Sequence, residues 1–350
     1  MKKVMLGMSG GVDSSVAAIL LKNQGYEVTG VTLHLYEGGC CNLDSVWDAK
    51  QVCKKLGIEH ITLDYQDYFK STIIKNFIDE YKNCRTPNPC VICNKYLKFG
   101  IMYEKAKELG IDYIATGHYA KTEYDEEYKR YVIKKAENLE KDQTYFLYYI
   151  DKNIIKDLLL PLGDYKDKEE IRKIARENEL IRVANKRDSE DICFVTTGNY
   201  KDFLENNSDI KSTKGKIVDV EGNVLGEHSG LYKYTIGQRR GMGVSADSRL
   251  FVVGFNKEKN ELIVGKEKDL LKKEMIVKDY NLLLVDDIEK QVEVKVKTRY
   301  SQKESEGILE KIDDNTLKIT FKKEEPRITP GQSAVFYIED KLFGGGIIEK

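Results

Sequence analysis

A short stretch rich in glycine and serine near the N-terminus limits the possible folds more than any other part of the chain. Residues 9–15 read Ser-Gly-Gly-Val-Asp-Ser-Ser, between an apolar run at 4–8 and a helix-like run at 16–23. Glycines let a backbone approach an anion closely, and the first N–H groups of a helix point toward it. The stretch therefore predicts a strand, an anion-binding turn and a helix that Asp13 or Ser14 caps.

The spacing within this stretch differs from two common phosphate-binding motifs. It contains neither the Gly-Lys-Ser/Thr of a Walker A loop nor Gly-x-Gly-x-x-Gly. A strand-to-helix turn without a ligand is the plain alternative. The two glycines, three serines and one aspartate instead resemble the Ser-Gly-Gly-x-Asp-Ser signature of the ATP pyrophosphatases. That resemblance implies ATP, cleaved to AMP and pyrophosphate.

Short apolar runs alternate with helix-like segments through the first 200 residues. Strands are predicted at 28–35, 60–64 and 113–116, helices at 46–56, 69–81, 143–160 and 168–180, and a hairpin at 120–135. Such alternation predicts an α/β fold whose parallel, Rossmann-like sheet is covered by helices on both faces. Ligands of such sheets bind at the carboxyl ends of the strands, where residues 9–15 lie.

The pattern changes after about residue 200, where short β-like runs and frequent glycines replace the helices. Strands are predicted at 215–224 (two of them), 250–255, 261–264, 291–297, 306–311, 316–321, 333–338 and 342–348. The last five, at regular spacing, predict a closed barrel or a sandwich. We therefore expect a domain with the anion-binding loop over 1–205, a small β-rich central domain over 206–272 and a C-terminal barrel or sandwich over 273–350.

Composition narrows the setting of the protein. No apolar run approaches the length that spans a bilayer and no signal peptide is visible, so we expect a cytoplasmic protein without a membrane partner. Seven cysteines in such a chain indicate thiol or metal chemistry rather than a disulfide framework. Because the net charge is only −1, an RNA partner would have to be held by local basic patches.

Two further stretches carry candidate reactive cysteines. Asn88 is a suitable N-cap and Pro89 a suitable first residue of a helix, which places Cys90 and Cys93 in its first turns. The positive end of a helix favours the thiolate form, so a nucleophilic or redox role is reasonable. A structural zinc half-site and two buried small residues are the alternatives. Cys193 follows a polar loop, and the alternative to a reactive role is that it is an ordinary cysteine at the edge of a strand.

Seven motifs taken together resemble the bacterial tRNA-specific 2-thiouridylases. They occur in the same order as in that family, at residues 9–15, 88–95, 115–119, 141–146, 192–194, 234–241 and 330–332. The resemblance spans nearly the whole chain. It implies an N-terminal domain like the adenine nucleotide α-hydrolases, a small central domain and a C-terminal β-barrel.

The resemblance also implies an activity, the replacement of the C2 oxygen of the wobble uridine of tRNA by sulfur. ATP would adenylate that oxygen, and Mg²⁺ would neutralise the departing pyrophosphate. Cys193 would carry a persulfide received from an upstream donor, a cysteine desulfurase or a relay protein. Cys93 would be the catalytic nucleophile, which either releases the terminal sulfur or forms a Cys93–Cys193 disulfide.

Binding residues follow from the same resemblance. ATP contacts are implied at Gly7, Met8, Ser9, Gly10, Gly11, Val12, Asp13, Ser14, Leu33 and Gly117. Contacts with tRNA are implied at Asn88, Pro89, Cys90, His118, Lys141, Asp142, Gln143, Arg299, Tyr300 and Gln332. For several of these the alternative is an ordinary structural role, such as a satisfied histidine at His118 or a barrel edge at Arg299 and Tyr300.

Cys90 departs from the pattern of many relatives, which carry aspartate at this position. The exchange gives three cysteines that could converge, Cys90, Cys93 and Cys193. Three thiolates can hold an iron–sulfur cluster with one open iron, so a cluster is the second hypothesis after the persulfide relay. Two other functions stay open: a pyrophosphate-loop ligase or amidotransferase acting on a small molecule, and a non-catalytic RNA- or metal-binding protein.

Overall fold

Strands and helices alternate through the first half of the chain, as the sequence predicts. The computed structural model describes residues 1–37, 42–186, 192–196, 198–244 and 248–350. The strands of this half are β1 (Lys3–Gly7), β2 (Glu27–His34), β3 (Glu59–Asp64), β4 (Tyr113–Ala115), β5 (Ala120–Asp125), β6 (Arg130–Lys135) and β7 (Leu158–Leu159). The helices are α1 (Val12–Asn23), α2 (Leu43–Leu56), α3 (Gln66–Phe69), α4 (Lys75–Lys82), α5 (Pro89–Cys93), α6 (Met102–Glu108), α7 (Lys168–Glu177), α8 (Ile181–Ala184) and α9 (Tyr200–Asn207).

Five of these strands form one parallel sheet in the order β3-β2-β1-β4-β7. Successive side chains of a strand point to opposite faces. Val4 and Leu6 of β1 therefore pack in a core with α1, α2 and α7, and Met5 packs in a second core with α6. Both faces of the sheet are covered, which confirms the predicted α/β fold. Across the described ranges, no helix combines the length and apolar content needed to cross a membrane.

Two π-helical segments, Lys70–Ile74 and Asn94–Ile101, make longer helical runs out of α3 with α4 and of α5 with α6. The predicted helix at 69–81 is confirmed in this form. The helix predicted to follow Asn88 is confirmed as well, since Pro89 is its first residue.

The helix predicted over 143–160 is wrong. The segment contains two short 3₁₀ helices, Thr144–Phe146 and Lys152–Asp157, followed by β7. Tyr145, Leu147, Tyr148 and Ile150 are all buried, so they are enclosed on every side and do not form one stripe of a surface helix. The Asn281 side-chain amide donates to the backbone oxygens of both Tyr148 and Ile150, at 2.7 Å each, and replaces bonds that a helix would have made.

The C-terminal part is a six-stranded antiparallel barrel, as predicted. Its strands are β12 (Lys272–Leu282), β13 (Val292–Lys297), β14 (Ser305–Asp313), β15 (Thr316–Glu325), β16 (Ser333–Ile338) and β17 (Lys341–Ile348). They run in the order β12-β15-β14-β13-β16-β17, and pairing of β17 with β12 closes the ring. The predicted β5–β6 hairpin is present, but it joins this barrel and not the parallel sheet, because β6 pairs with β17 at Lys134 and Lys341.

A four-stranded sheet lies between the two larger units in the chain. It consists of β8 (Gly215–Val218), β9 (Val224–His228), β10 (Phe251–Asn256) and β11 (Glu261–Gly265), in the order β10-β11-β8-β9. Ile217, Val252, Leu262 and Val264 form its core and are almost fully buried. These strands confirm the two hairpins that the sequence predicts here.

Candidate active site

The glycine- and serine-rich loop lies at the carboxyl end of β1, and α1 begins directly after it. Gly11 is the N-cap and makes no side-chain cap bond, so the expectation that Asp13 or Ser14 caps the helix is wrong. The chain enters the helix earlier than expected, and the hydroxyls of Ser14 and Ser15 donate to the Gly11 oxygen at 3.2 and 2.8 Å. Because no side chain caps this helix, its first N–H groups are available to an anion.

Two glycines allow close packing around this loop. Gly10 has a φ of 68°, and a Cβ atom there would lie 2.5 Å from the Ser45 oxygen of α2. A Cβ atom at Gly117 would lie 2.9 Å from the Ser14 nitrogen. The loop is therefore held between α2 on one side and the segment after β4 on the other, and neither glycine can be replaced without a shift of backbone.

A carboxylate of α1 is neutralised at the loop. The Asp13 oxygens each lie 2.6 Å from the Nζ atom of Lys168, the first residue of α7. The Tyr119 hydroxyl donates to the same carboxylate at 2.7 Å. Without this lysine, Asp13 would place an unopposed negative charge beside any bound phosphate.

A second lysine contacts the loop from the other side. The Lys186 Nζ atom donates to the Gly10 oxygen at 3.2 Å and lies 3.0 Å from the buried carboxylate of Asp48. The Nε atom of Arg182 lies 2.9 Å from the other Asp48 oxygen. A buried carboxylate needs such paired cations. Residues 9–15 contain no lysine or arginine, so both cations at the loop come from distant parts of the chain.

Sequence reasoning missed Lys168, Lys186 and Asp48. Each is more than 30 residues from the loop, and none stands in a recognisable motif. The one available signal was the absence of a lysine or arginine from residues 9–15, because a phosphate site without its own cation needs one from elsewhere in the fold.

His60 of β3 is linked to the residue before the loop, Met8, through the hydroxyl of Thr32. The Thr32 hydroxyl donates to the Met8 oxygen at 2.8 Å, and the same hydroxyl lies 2.8 Å from His60 Nε2. Because its proton goes to Met8, the hydroxyl accepts from His60, whose buried Nδ1 then lacks a partner among the described atoms. Burial lowers the pKa of His60 to about 4, with the nearby Lys50 contributing, so this histidine is neutral near pH 7.

The predicted adenosine contacts Leu33 and Gly117 both lie at the carboxyl edge of the sheet. Leu33 is the penultimate residue of β2 and is buried, and Gly117 follows the end of β4 by two residues. The structure therefore brings the predicted ATP contacts of the loop, of β2 and of the segment after β4 to the same edge.

The two candidate reactive cysteines pack in a single apolar cluster. Cys93, the last residue of α5, is buried in it, and Cys193 packs against it. Phe194 is fully buried, with its ring centroid 5.2 Å from that of Phe77, and anchors the segment that carries Cys193. Leu33 belongs to the same cluster, so one continuous apolar cluster connects both cysteines with the predicted adenosine contact.

Cys90 differs from these two cysteines because its side chain is exposed. All three are thiols in the structure, and none is in a disulfide. Among the described residues, which include all three, no group of three or more His, Cys, Asp or Glu side chains is placed to hold a metal ion. The structure therefore gives no support to an iron–sulfur cluster or a zinc site on these cysteines.

The segment that leads into α5 is clamped onto the barrel. The Gln332 side-chain amide donates to the oxygens of Thr86 at 2.9 Å and Pro87 at 3.1 Å. The Thr86 nitrogen donates to the Pro330 oxygen at 2.8 Å, and Arg85 pairs with Glu349. Gln332, an expected tRNA contact, thus positions the start of the cysteine helix.

Three other expected tRNA contacts also have internal partners. Asp142 is buried and accepts from the Ala136 nitrogen and the Thr144 hydroxyl, and burial raises its pKa. The Gln143 side-chain oxygen accepts from the Tyr119 nitrogen at 3.0 Å. His118 Nδ1 lies 2.7 Å from the Thr116 hydroxyl, and burial holds the pKa of His118 well below its usual value.

The remaining expected tRNA contacts differ in their exposure. Cys90, Lys141 and Tyr300 are exposed, and the ring of Tyr300 lies 4.6 Å from that of Phe146. Asn88 is half-buried and Pro89 is buried at the start of α5. Arg299 donates to the Ile236 oxygen at 2.8 Å and to the Thr329 hydroxyl, and its pKa is lowered by burial and by the nearby Arg327.

Three family models match consecutive parts of the chain. The tRNA methyl transferase HUP domain matches residues 2–197, the tRNA methyl transferase PRC-barrel domain matches 201–266, and the aminomethyltransferase beta-barrel domain matches 272–348. The fold and the site thus define a HUP-domain protein that carries two β domains after its nucleotide-binding sheet.

Full-length relatives identify the family. The tRNA-specific 2-thiouridylase MnmA of Clostridioides difficile (strain 630) is 47% identical over 357 residues, with 100% of this chain and 98% of that protein covered. MnmA 1 of Clostridium botulinum (strain Loch Maree / Type A3) is 48% identical, with 100% and 99% covered. MnmA of Acetivibrio thermocellus is 45% identical, with 99% of both covered. The chain belongs to the tRNA-specific 2-thiouridylase family.

Solved structures are more distant. NMN synthetase from Francisella tularensis matches with a TM-score of 0.35 and 18% identity, over 60% of this chain and 79% of that one. Similarity at this level supports no conclusion about function.

Proposed function

We propose that this protein converts the wobble uridine of tRNA to 2-thiouridine and that it consumes ATP and releases AMP and pyrophosphate. The observation that carries the proposal is the meeting of two kinds of chemistry at one sheet edge. The loop before α1 offers an anion site, and Cys93 and Cys193 share an apolar cluster with Leu33 at the same edge. Relatives of equal length that carry the name tRNA-specific 2-thiouridylase support the same interpretation.

The nucleotide half of the site fits a triphosphate. The uncapped start of α1 and the tightly packed Gly10 and Gly117 leave backbone N–H groups for phosphate oxygens. Lys168 and Lys186 supply the cations that the loop lacks. Leu33 and Gly117 would contact the adenosine, and residues 7–14 the phosphates.

Magnesium fits beside Asp13, because Mg²⁺ is usually held by one or two carboxylates together with phosphate oxygens. When bound, the ion would neutralise charge that builds on the departing pyrophosphate. Asp13 would then exchange its present partner Lys168 for the ion, which leaves the lysine to the phosphates.

The sulfur half begins with Cys193. It would receive a persulfide from an upstream donor protein, a cysteine desulfurase or a relay protein. The Cys93 thiolate would then attack the inner sulfur, forming a Cys93–Cys193 disulfide and releasing hydrosulfide. Hydrosulfide would attack the adenylated C2 carbon of uracil and expel AMP, and an external thiol reductant would restore both cysteines. A disulfide needs Cα atoms within about 7 Å, and the shared apolar cluster supports such an approach.

The tRNA half requires the target base to leave its stack, because the reacting carbonyl must reach the cysteines. Asn88, Pro89 and Cys90 would lie nearest the base, and Lys141 and Tyr300 would contact the RNA from the surface. His118, Asp142, Gln143, Arg299 and Gln332 already have internal partners, so we assign them mainly to holding these contacts in place.

The three regular units support the domain limits 1–205, 206–272 and 273–350, and we propose them as the boundaries. We place the reaction in the cytoplasm because both tRNA and ATP are present there.

The decisive experiment compares two products in one assay. Purified protein, tRNA, Mg·ATP and a persulfide donor should give 2-thiouridine by nucleoside mass spectrometry, with pyrophosphate released only when tRNA is present. Cys193→Ser and Cys93→Ser should abolish 2-thiouridine. Cys53→Ala, which removes a thiol buried in the core between α2 and the sheet, should not.

A pyrophosphate-loop ligase acting on a small molecule is the second candidate, and the same assay separates it. Such an enzyme would have no use for the two cysteines, so full turnover by both serine variants would reject sulfur transfer. Pyrophosphate release that is independent of tRNA would point the same way.

A further inference from the structure

Three exposed arginines lie in or next to the loop around Gly237 that leads to β10. They are Arg239 and Arg240 of that loop and Arg327 of the barrel. Among the described residues, none of the three has a carboxylate oxygen within 4.0 Å. Four other arginines do have such partners, namely Arg85, Arg130, Arg176 and Arg182. Within the part of the chain that the structure describes, the positive charge of the Gly237 surface is therefore not neutralised by an ion pair.

The loop that presents Arg239 and Arg240 is built by several hydrogen bonds. The Gly237 nitrogen donates to the Val252 oxygen at 2.8 Å, and the Val252 nitrogen donates to the Gln238 oxygen at 2.9 Å. The Gln238 side chain accepts from the Thr235 nitrogen at 3.2 Å and donates to the Arg240 oxygen at 2.8 Å. A backbone held in this way loses little further freedom when its side chains bind a partner.

Arg327 is held against this loop in an unusual backbone conformation. Its φ is 61°, a region that residues other than glycine seldom adopt and that is found more often at functional sites. A Cβ atom at Gly237 would lie 2.8 Å from Arg327 Cγ, so the glycine makes room for the arginine. Burial and, to a lesser extent, the nearby Arg327 lower the pKa of the half-buried Arg299, whose Nε has no hydrogen-bond partner among the described atoms.

A series of contacts links this surface to the cysteine helix. Arg299 donates to the Ile236 oxygen next to Gly237 and to the Thr329 hydroxyl. Pro330, the next residue of the barrel, accepts from the Thr86 nitrogen at 2.8 Å. Thr86 lies two residues before Asn88, the residue that precedes α5. These contacts connect the arginine-bearing surface, through the barrel, to the segment that carries Cys90 and Cys93.

We propose that Arg239, Arg240 and Arg327 bind backbone phosphates of the tRNA next to the nucleotide that enters the cysteine site. Guanidinium groups match phosphate oxygens in a planar, two-bond geometry, and RNA is the polyanion that the proposed function brings to this face. The inference rests on that function. A chain whose net charge is −1 can hold RNA only through such local patches.

The test is the salt dependence of tRNA binding by the full chain, measured without ATP between 50 and 200 mM salt. Each phosphate contact contributes about 0.7–0.9 to the slope of log K against log salt. The double variant Arg239→Gln, Arg240→Gln should therefore lower the slope by about 1.6 and weaken binding about 20-fold near 150 mM salt. Arg327→Gln should lower the slope by about half as much.

A matched control removes the same charge elsewhere. Lys268→Gln, Lys323→Gln changes two exposed lysines, one of the central domain and one of β15, and should leave the slope unchanged. The charge-conserving double variant Arg239→Lys, Arg240→Lys should keep the wild-type slope, which shows that charge and not folding is measured.

The outcomes separate this inference from the function on which it rests. Equal slopes and affinities for the arginine-to-glutamine variant and its lysine control would overturn the inference alone. The inference would also be overturned if the arginine-to-glutamine variant bound tRNA normally but no longer received sulfur from the persulfide donor, since the surface would then bind that protein. Failure of the wild-type chain to bind tRNA would overturn the proposed function as well.

Discussion

Replacement of Gly10 by alanine tests whether the loop before α1 depends on close packing against α2. Gly10 and Gly25 both have a positive φ, 68° and 85°, so alanine at either position costs about 1–2 kcal/mol of backbone strain. A Cβ atom at Gly25 meets nothing within 4 Å, whereas one at Gly10 would lie 2.5 Å from the Ser45 oxygen. Such a clash adds about 1–3 kcal/mol. Gly10→Ala should thus lower the free energy of unfolding by about 2–5 kcal/mol, and Gly25→Ala by about 1–2 kcal/mol.

Trp47 gives the assay for this comparison. It is the chain's single tryptophan and lies on α2, two residues after Ser45, so its fluorescence during urea unfolding reports the unit that contains the loop. Gly10→Ala should also bind ATP about tenfold more weakly or worse, because a displaced loop loses at least one charged hydrogen bond of about 1.5–3 kcal/mol. Equal stability losses in the two variants, or unchanged ATP binding by Gly10→Ala, would refute the packing argument.

Three further predictions concern single side chains. Lys168→Met should weaken binding of ATP about tenfold by calorimetry, because the phosphates then lose one of the two cations at the loop, and should leave the affinity for adenosine nearly unchanged. Gln332→Ala should lower the free energy of unfolding by about 1–3 kcal/mol, since two hydrogen bonds are lost, and should speed hydrogen exchange over residues 86–93. The pKa of His60 is about 4 in the folded chain, so His60 binds a proton more readily when the chain is unfolded. The free energy of unfolding should therefore fall as the pH drops from about 6.5 to about 4. Denaturation curves of His60→Gln should show a smaller fall over this pH range.

Each of these has its own control. Lys173→Met, on the exposed side of α7, should leave ATP binding unchanged, and an equal effect on ATP and adenosine would show that Lys168 acts on the fold and not on phosphate. Unaltered exchange over residues 86–93 in Gln332→Ala would mean that the barrel does not restrain the cysteine helix. A wild-type pH profile in His60→Gln would assign the acid-sensitive step to another group.

Apolar periodicity in the sequence correctly predicted the strands and helices whose buried face is set by neighbouring residues in the chain. The apolar runs of β1 and β2, the helical spacing of α2 and the alternation along the barrel strands each have a single physical interpretation, and the structure contains them. The helix prediction for residues 143–160 failed because the apolar side chains of this segment are enclosed by the parallel-sheet unit and the barrel together. The spacing there resembles one face of a helix, but Asn281, far along the chain, satisfies the backbone oxygens that a helix would have used.

The site shows the same division. Glycines and serines in one turn predict the anion loop, and family motifs predict Cys93 and Cys193 as the reactive cysteines; both stay predictions. The charge balance of the loop could not be predicted, because it depends on Lys168 and Lys186, which reach it only through the packing of α7 and the segment after α8. The prediction that Asp13 or Ser14 caps α1 was wrong because of a distant residue too, since Asp13 pairs with Lys168 and not with the helix backbone.

The shared hairpin has a consequence for synthesis on the ribosome. Val132 of β6 belongs to the barrel core and Lys134 pairs with Lys341 of β17, so the hairpin pairs with a strand about 200 residues further along the chain. At about 5–20 residues per second, β6 waits roughly 10–40 s for its neighbour. During that delay its open edge could pair with another nascent chain. Arg130, Lys134 and Lys135 give that edge three positive charges, which disfavour such pairing until β17 emerges.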